Sequence, residues 1–512
     1  MGRRWTIPSA LWPNMRVWPI DIDLPQLRRD AREGRVSVEQ LLDFIEQLLA
    51  VVAKQQQTIQ GLRREQQLLR ERLAQYEPEV RREGSSADTP SPSYSLEAEE
   101  KRRHRRRRRK KSPGRRPTEL KFADAERTED IYPKGVRRAD CQLVRERAVW
   151  RLENGRAVRV GYRIFAGPDG REPRIPGVTL RCEYGIEILV VLAFLIYIIG
   201  ISLDKACAVL GFFCQLPLRK SQADALLRQL ARHWEHEFDL LCELIAHAAV
   251  VAMDETGWKV GDQGCSLWAF AAQCQRLFLF GCRKDDDTLD QILPPDVFAG
   301  VGVSDDAAVY RGRFTRGQKC WAHLLRKAIK LTLLCPRKKI YRRFLDQLLQ
   351  LYRDAKRLAD DRRLGDDGRR QRVDDLELRL FAVCRPYQRG TPEKPHERDF
   401  ANLIDELLRL AMDDELFTFV LVPGVEPTNN GTERLLRGPA QDRKAGRTNQ
   451  TTTGARRRSI IVSILESLRT NLKAFTLASV VEEVRRWMTE GVSLFARQWT
   501  LRQAELAAAN TS

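Results

Sequence analysis

The chain has 512 residues, of which 43% are hydrophobic, and a chain of this length exceeds one hydrophobic core, so several domains are expected. Lys and Arg (89) outnumber Asp and Glu (69), and the formal net charge of +20 favours a polyanionic partner such as nucleic acid. The eleven cysteines form no CxxC pair, which argues against a disulfide framework and favours a reducing cytoplasm. The apolar run 188–201 is shorter than the ~20 residues that cross a bilayer, so no membrane span is expected.

The N-terminal part shows a helical repeat rather than a globular pattern. Residues 1–36 have no clear period. From Ser37, apolar residues follow a heptad seam that includes Leu41, Ile45 and Leu48, and this predicts a coiled-coil helix over 37–78. The seam would join copies of the chain into a homo-oligomer through residues 37–77. A helix packed on its own domain is the alternative.

Residues 79–119 combine Ser and Pro with a run of Lys and Arg from 101 to 111. Such a composition cannot bury a core, so we predict a disordered basic linker. The run would contact DNA phosphates without reading sequence, and its candidate residues are Arg105, Arg106 and Arg107. The alternative is a solvated charge run without a specific role.

The segment between this linker and residue 247 divides into two predicted parts. Residues 120–184 are expected to form a small β-containing module. Residues 185–246 show helix-turn-helix spacing, with a break at 200–202, a short helix ending at Leu210 and a final helix from Ser221. A plain helical bundle fits the same pattern. If the segment binds DNA, the candidate contacts are Arg219, Lys220 and Arg228.

An α/β core is predicted over residues 247–459. Apolar runs predict a β-meander followed by a separate buried strand, with the first turn at Thr256-Gly257. A charged segment without strand patterns, at about 322–421, is expected to be a helical insertion, and 460–512 a C-terminal helical region. The predicted strands are 248–253, 265–274, 276–282 and 300–304.

Acidic residues follow the first and the last of these strands. Asp254 closes the first run and Asp305 closes the last one. Carboxylates at the ends of neighbouring strands offer oxygen ligands for a hard divalent cation. The best third ligand is Glu433, in the first turns of a helix that an Asn cap opens. Glu255 and Asp306 follow directly but would point away in an extended chain.

Two further groups of residues surround this predicted site. Cys320 and His323 have ligand-like spacing, but two ligands do not make a structural zinc site, so the spacing favours a packing role near the acids. Beyond Glu433 the chain is basic again, which favours phosphate contacts beside the acids, although an exposed helix surface is the alternative. The candidate DNA contacts there are Arg437, Arg443, Lys444, Arg447 and Arg456.

Four motifs occur in an order that resembles the insertion-sequence-sixty-six family of bacterial transposases. They lie at 253–258 (MDETGW), 303–305 (VSD) with Tyr310, 319–323 (KCWAH) and 429–434 (NNGTER). The resemblance implies an α/β RNase-H-like catalytic core with a helical insertion, an N-terminal coiled coil and a helix-turn-helix DNA-binding domain. Thr428 stands where the family commonly has an acid.

The resemblance also implies an enzyme that cuts and joins DNA. Asp254 would bridge two ions of Mg²⁺ or Mn²⁺, Asp305 would hold one and Glu433 the other. The expected partners are the terminal inverted repeats of the element, target DNA and companion proteins of the same element, in the bacterial cytoplasm at the nucleoid. Two alternatives stay open: a non-catalytic DNA-binding regulator and an inactive transposase remnant.

Overall fold

A computed structural model describes residues 57, 60–61, 116–179, 182–388 and 392–509. The chain divides into two compact units, 1–112 and 113–512. In the first unit, only residues 57, 60 and 61 are described, and they are helical. The predicted coiled coil and the basic run with Arg105, Arg106 and Arg107 otherwise lie outside the described residues and stay predictions. The following description concerns the second unit.

A small three-stranded sheet opens the second unit, within the segment 120–184 for which a β-containing module is expected. Val149, Val160, Tyr162 and Ile164 are buried in the core, whereas Arg156 and Arg163 are exposed. The hairpin turn is Asn154-Gly155, and both residues have positive φ, which suits these two residue types. Strand order is β1-β3-β2, with β1 parallel to β3. The elements are α1 (Thr118–Ala123), β1 (Arg127–Ile131), β2 (Gln142–Glu153) and β3 (Arg156–Ala166).

Four helices follow, and the apolar run begins the first of them. Most residues of that helix are buried in the core, and it continues as a π-helical turn at Phe194–Ile198. The short helix that was predicted to end at Leu210 continues to Cys214. Within the described residues, no helix is both long and apolar enough to span a membrane. The helices are α2 (Ile186–Ala193), α3 (Leu203–Cys214), α4 (Lys220–His233) and α5 (Glu235–Ala246).

The central sheet has five strands in the order β6-β5-β4-β7-β8. The first three form an antiparallel meander, as predicted, and β4, β7 and β8 are parallel neighbours. Two parallel strands cannot be joined by a tight turn and need a crossover connection. The segment that contains α6 (Asp286–Asp290) is the connection that leads from the meander to β7. The strands are β4 (Val250–Val260), β5 (Gln263–Ala271), β6 (Arg276–Cys282), β7 (Val301–Ser304) and β8 (Arg316–Lys319).

The prediction of a turn at Thr256-Gly257 was wrong. Strand β4 continues to Val260, and the turn lies at Gly261-Asp262, where Val260 pairs with Gln263. The reason is tertiary: Trp258 is buried, and its indole N–H donates to Asn449 Oδ1 at 3.0 Å. Asp254 therefore lies inside a long strand and not at its end.

A serine-bearing helix covers the β6 edge of the sheet. An uncovered edge strand leaves backbone N–H groups without partners. The amides of Phe280, Phe278 and Arg276 donate to the hydroxyls of Ser459, Ser463 and Ser467 at 2.9, 2.8 and 2.9 Å. Four helical residues advance ~6.0 Å and two strand residues ~6.8 Å, so serines at every fourth position meet every second amide. The helix is α13 (Thr452–Asn471), which starts eight residues before the predicted Ile460.

The insertion is helical, as predicted, and has its own hydrophobic core. This core lies on one face of the sheet and includes Val301 and Val303 of β7. The opposite face, with Val251 and Met253, packs on the other core. The insertion contains α7 (Trp321–Leu334), α8 (Lys339–Asp360), α9 (Asp366–Cys384), α10 (Pro395–Met412) and α11 (Thr418–Leu421). The remaining helices are α12 (Asn430–Lys444), α14 (Leu477–Glu490) and α15 (Leu494–Ala509).

Candidate active site

The first two acids lie side by side beyond the paired ends of two parallel strands. Ala252 of β4 pairs with Val303 of β7. Asp254 lies two residues after Ala252, and Asp305 lies two residues after Val303. Because side chains alternate along a strand, Asp254 and Asp305 continue the face of Ala252 and Val303, which is the face toward the insertion. Strand register, not proximity in sequence, therefore brings these two acids together.

The third acid lies in the first turn of α12. Asn429 occupies the N-cap position of α12. Contrary to the prediction, its side chain makes no capping hydrogen bond to the helix. Instead, its amide donates to the carbonyl of Met253 at 2.7 Å, and its backbone N–H donates to Cys320 Sγ at 3.1 Å. Asn429 thus fastens the start of α12, and with it Glu433, to β4 beside Asp254.

The electrostatics of Asp254 reflect this convergence. Burial and the negative charges of Glu255, Asp305 and Glu433 raise the pKa of Asp254 to about 7. Its carboxylate accepts a hydrogen bond from the Glu255 backbone N–H at 2.9 Å, which only partly offsets these effects. The charges of Asp305 and Glu433 therefore contribute to disfavouring ionisation of Asp254, and a bound cation would relieve this.

The neighbouring acids have cationic or hydroxyl partners of their own. Glu255 accepts from Tyr310 Oη and forms an ion pair with Lys284. Burial opposes protonation of Lys284, but the hydrogen bond to Glu255 and the charges of the nearby acids outweigh it and raise its pKa. Asp306 forms ion pairs with Arg409 at 2.6 Å and Arg311 at 2.9 Å. These partners differ from those of the three predicted ligands.

Sequence reasoning did not identify a buried ion pair that lies behind Asp305. Lys319 is 1% exposed, and its Nζ lies 3.3 Å from Ser304 Oγ and 3.5 Å from Glu415 Oε1. Burial lowers the pKa of Lys319 and raises that of Glu415, which is the usual cost of a buried pair. Lys319 belongs to the KCWAH motif, and this motif was the only feature of the sequence that pointed to a role for Lys319.

The second residue pair of that motif lies beside Glu433. Cys320 is the N-cap of α7, and His323 lies in the first turn of that helix. His323 Nε2 is 3.7 Å from Glu433 Oε1, and Arg326 Nη1 is 3.3 Å from the same oxygen. Sulfur, nitrogen and carboxylate donors of Cys320, His323 and Glu433 all lie within 4.8 Å of one another. The third donor was not expected from the sequence.

The candidate DNA contacts fall into three groups. Arg219, Arg437 and Lys444 are exposed and have no ion pair within the part of the chain that the structure describes. Lys220 pairs with Asp204 and Arg228 with Asp224, but all four side chains stay accessible. The third group, which is bound within the protein, contains Arg443, Arg447 and Arg456.

In the third group the guanidinium groups have structural partners. Arg443 donates to Thr256 Oγ1 at 3.1 Å and to the carbonyl of Gly257, so it holds α12 against β4. Arg447 lies 3.8 Å from Asp442. Arg456 lies over the ring of Phe238 at 4.5 Å and 3.6 Å from both Glu235 and Asp239. Acids therefore partly neutralise Arg447 and Arg456, whereas neutral acceptors hold Arg443 and leave its charge uncompensated within the described part of the chain.

Arg458, two residues after Arg456, is not part of the exposed basic surface. Arg458 is 5% exposed and forms an ion pair with Asp442. Its guanidinium lies 4.9 Å from the ring centroids of both Trp258 and Phe280. Packing against β4 and β6 buries this residue, so Arg458 stabilises the core.

The donor set fits the ions that the resemblance implies. Carboxylate oxygens from Asp254, Asp305 and Glu433 are hard donors, which suit Mg²⁺ or Mn²⁺. Burial is the largest cause of the raised pKa of Asp254, and the neighbouring carboxylates add negative charge that a divalent ion would compensate. The residues present therefore fit a divalent cation of this class.

The sheet order and the converging acids are compatible with an RNase-H-like core of the Asp-Asp-Glu type. A family model described as the IS66 transposase family matches residues 181–457, which is more than half of the chain. The chain belongs to the IS66 family of transposases, as its motifs predicted. DNA is the partner, and divalent metal ions the cofactors, that this family in general uses. No curated protein matches the chain.

Proposed function

We propose that the chain is the DNA-cutting and DNA-joining enzyme of an insertion sequence, with Asp254, Asp305 and Glu433 as the metal-binding catalytic acids. The observation that carries the proposal is the convergence of these acids from β4, β7 and α12, with the pKa of Asp254 raised to about 7 by burial and by its neighbours. Such perturbed groups are typical of catalytic sites.

Each acid has a defined part in this proposal. Asp254, in the middle strand, would be a ligand of both ions, and Asp305 and Glu433 would each hold one, as the resemblance implies. When bound, the ions would supply activation of a water or a DNA 3′-hydroxyl and stabilisation of the leaving oxygen. The side chain of Arg326 orients the Glu433 carboxylate through its contact at 3.3 Å.

An open cleft beside Asp305 is the path that we propose for the DNA backbone. The cleft has a volume of 710 Å³ and is lined by His323, by the cations Arg311, Lys327 and Arg409 and by four acids, Asp305, Asp306, Asp405 and Glu406. The three cations pair with Asp306 and Glu406, so a DNA phosphate in the cleft would compete with these acids for them. Sequence reading would then come from α4, through Arg219, Lys220 and Arg228, and end pairing from a homo-oligomer through 37–77.

The test separates DNA binding from DNA cutting. Asp254→Asn, Asp305→Asn and Glu433→Gln keep side-chain shape but remove the charge that a hard cation needs. Each variant should bind end-containing DNA like the parent, while nicking and joining with Mg²⁺ or Mn²⁺ fall at least about 100-fold. Gel shift and strand-transfer assays on element-end DNA measure the two properties.

The matched controls are Glu255→Gln and Asp306→Asn, the acids that directly follow Asp254 and Asp305. We expect both variants to keep substantial activity, because their carboxylates are held by Tyr310, Lys284, Arg311 and Arg409. Metal-dependent cleavage that persists in all three acid variants would refute the mechanism. A parent protein that binds DNA but never nicks it would favour the regulator or the inactive remnant.

A further inference from the structure

The starts of α7 and α12 together create a second donor cluster beside the proposed catalytic acids. Cys320 caps α7, His323 lies one turn further on, and Glu433 lies in the first turn of α12. The Asn429 N–H that donates to Cys320 Sγ at 3.1 Å holds both helix starts together. The cluster is therefore fixed by the backbone and not by flexible side chains alone.

The separation between His323 and Glu433 does not correspond to a direct hydrogen bond. His323 Nε2 and Glu433 Oε1 are 3.7 Å apart, beyond the ~3.2 Å limit of an N–H···O hydrogen bond. Two ligands at ~2.0–2.2 Å from one tetrahedral ion lie roughly 3.3–3.6 Å apart, which is close to this distance. In addition, His323 Nδ1 is buried and has no hydrogen-bond partner among the described residues.

The donor chemistry differs from that of the three acids. A thiolate, an imidazole and one carboxylate form a softer set, which selects Zn²⁺ over Mg²⁺. Cys320 is buried, but the side chains of His323 and Glu433 are 38% and 23% exposed, so an ion can enter from solvent. Three protein ligands leave a fourth position for water.

We propose that Cys320, His323 and Glu433 bind a soft divalent cation such as Zn²⁺, and that this ion withdraws the Glu433 carboxylate from the DNA-cutting site. The second half of the proposal rests on the proposed catalytic role of Glu433, whereas the first half does not. Zinc binding then inhibits strand cleavage reversibly. Because Arg326 pairs with the same carboxylate at 3.3 Å, it competes with the ion.

The binding test uses Co²⁺ as a spectroscopic substitute for Zn²⁺, with the full-length chain and no Mg²⁺. We expect a thiolate-to-cobalt charge-transfer band that saturates at one ion per chain and disappears when Zn²⁺ is added. Cys320→Ser should remove the band, and His323→Gln should weaken Co²⁺ binding at least tenfold. Arg326→Ala should tighten it, because the competing cation is gone.

The matched control is Cys335→Ser, which changes a free, half-buried cysteine at the other end of the same helix and should leave the band unchanged. Thermal unfolding identifies a variant that fails to fold, and His323→Gln, with its partly exposed side chain, then decides the question. No band in the parent, or an unchanged band in Cys320→Ser, would overturn the site.

The link to catalysis has a separate test. Glu433→Gln should weaken Co²⁺ binding at least tenfold while keeping the thiolate band at saturation, and unchanged affinity would remove Glu433 from the site. In the parent, Zn²⁺ should suppress Mg²⁺-dependent nicking, and a chelator selective for Zn²⁺ should restore it. If the parent shows no nicking, the proposed function fails, but the cobalt titration still decides whether the metal site exists.

Discussion

The β6 edge and the region around Asp254 in β4 differ in how their polar groups are compensated. At the β6 edge, three backbone amides that would lack partners each donate to a serine hydroxyl of α13 at 2.8–2.9 Å. At the other position, burial and neighbouring negative charge raise the pKa of Asp254 to about 7. One region satisfies its polar groups within the protein, and the other concentrates charge that the protein does not neutralise.

The acids beside the site sharpen this contrast. Glu255, Asp306 and Glu415 are half-buried or buried, yet each has a basic partner within 3.5 Å, namely Lys284, Arg409 and Lys319. Cations are thus available in this part of the fold. Among the described residues Asp254 forms no ion pair, although its neighbours do, which indicates that its carboxylate is available to a partner from outside the chain.

The largest effect on stability is expected at the buried ion pair of Lys319 and Glu415. Glu415→Gln leaves Lys319 buried without its carboxylate, which should lower the free energy of unfolding by about 3–5 kcal/mol. Urea unfolding at neutral pH measures this. The control Asp204→Asn breaks the exposed pair with Lys220 and should cost at most about 1 kcal/mol. Equal effects of both variants would contradict the distinction between buried and exposed pairs.

A smaller effect, opposite in sign, is expected at Asp254. Its pKa is about 7 in the folded protein against an ordinary value of 3.8, so the folded state holds a proton that the unfolded state has released. The stability of the metal-free protein therefore falls as pH rises from about 4 to 7. Asp254→Asn removes this loss and should stabilise the protein at pH 8 by up to roughly 4 kcal/mol, at ~1.4 kcal/mol for each of about three pKa units.

Unfolding of the parent and of Asp254→Asn at about pH 4 and pH 8, with a chelator present, checks this prediction. The two proteins should differ little at the lower pH. At the higher pH, Mg²⁺ should stabilise the parent and narrow the difference, because the ion compensates the charge. A difference that does not depend on pH would show that Asp254 is not the titrating group.

The smallest of these effects on stability is expected at the β6 edge, where serine hydroxyls of α13 accept hydrogen bonds from the backbone amides. Ser463→Ala leaves the buried N–H of Phe278 without a partner and should cost about 1–3 kcal/mol of stability. Amide exchange in β6 should become faster at the same time. The control Ser221→Ala, an exposed position on α4, should change stability by no more than about 0.5 kcal/mol. Unchanged protection of β6 would show that the serines are not what satisfies this edge.

The sequence alone determined those features that depend on local patterns. Alternating and continuous apolar runs predicted the β-meander, the buried strand that ends before Asp305 and the helical insertion, and the structure has all three. Four short motifs predicted the family, which the family model confirms. The helix-turn-helix role of 185–246, the coiled coil and the domain boundaries stay predictions.

Only the tertiary structure decided which residues become partners. Asp254 lies within β4 because Trp258, four residues on, is buried and bonded to Asn449. Cys320 and His323 meet Glu433 because Asn429 joins two helix starts that are more than a hundred residues apart in sequence. Periodicity reports which face of an element is buried, but not which distant element covers it. The paired and unpaired charges around Asp254 therefore follow from long-range packing, which no local pattern encodes.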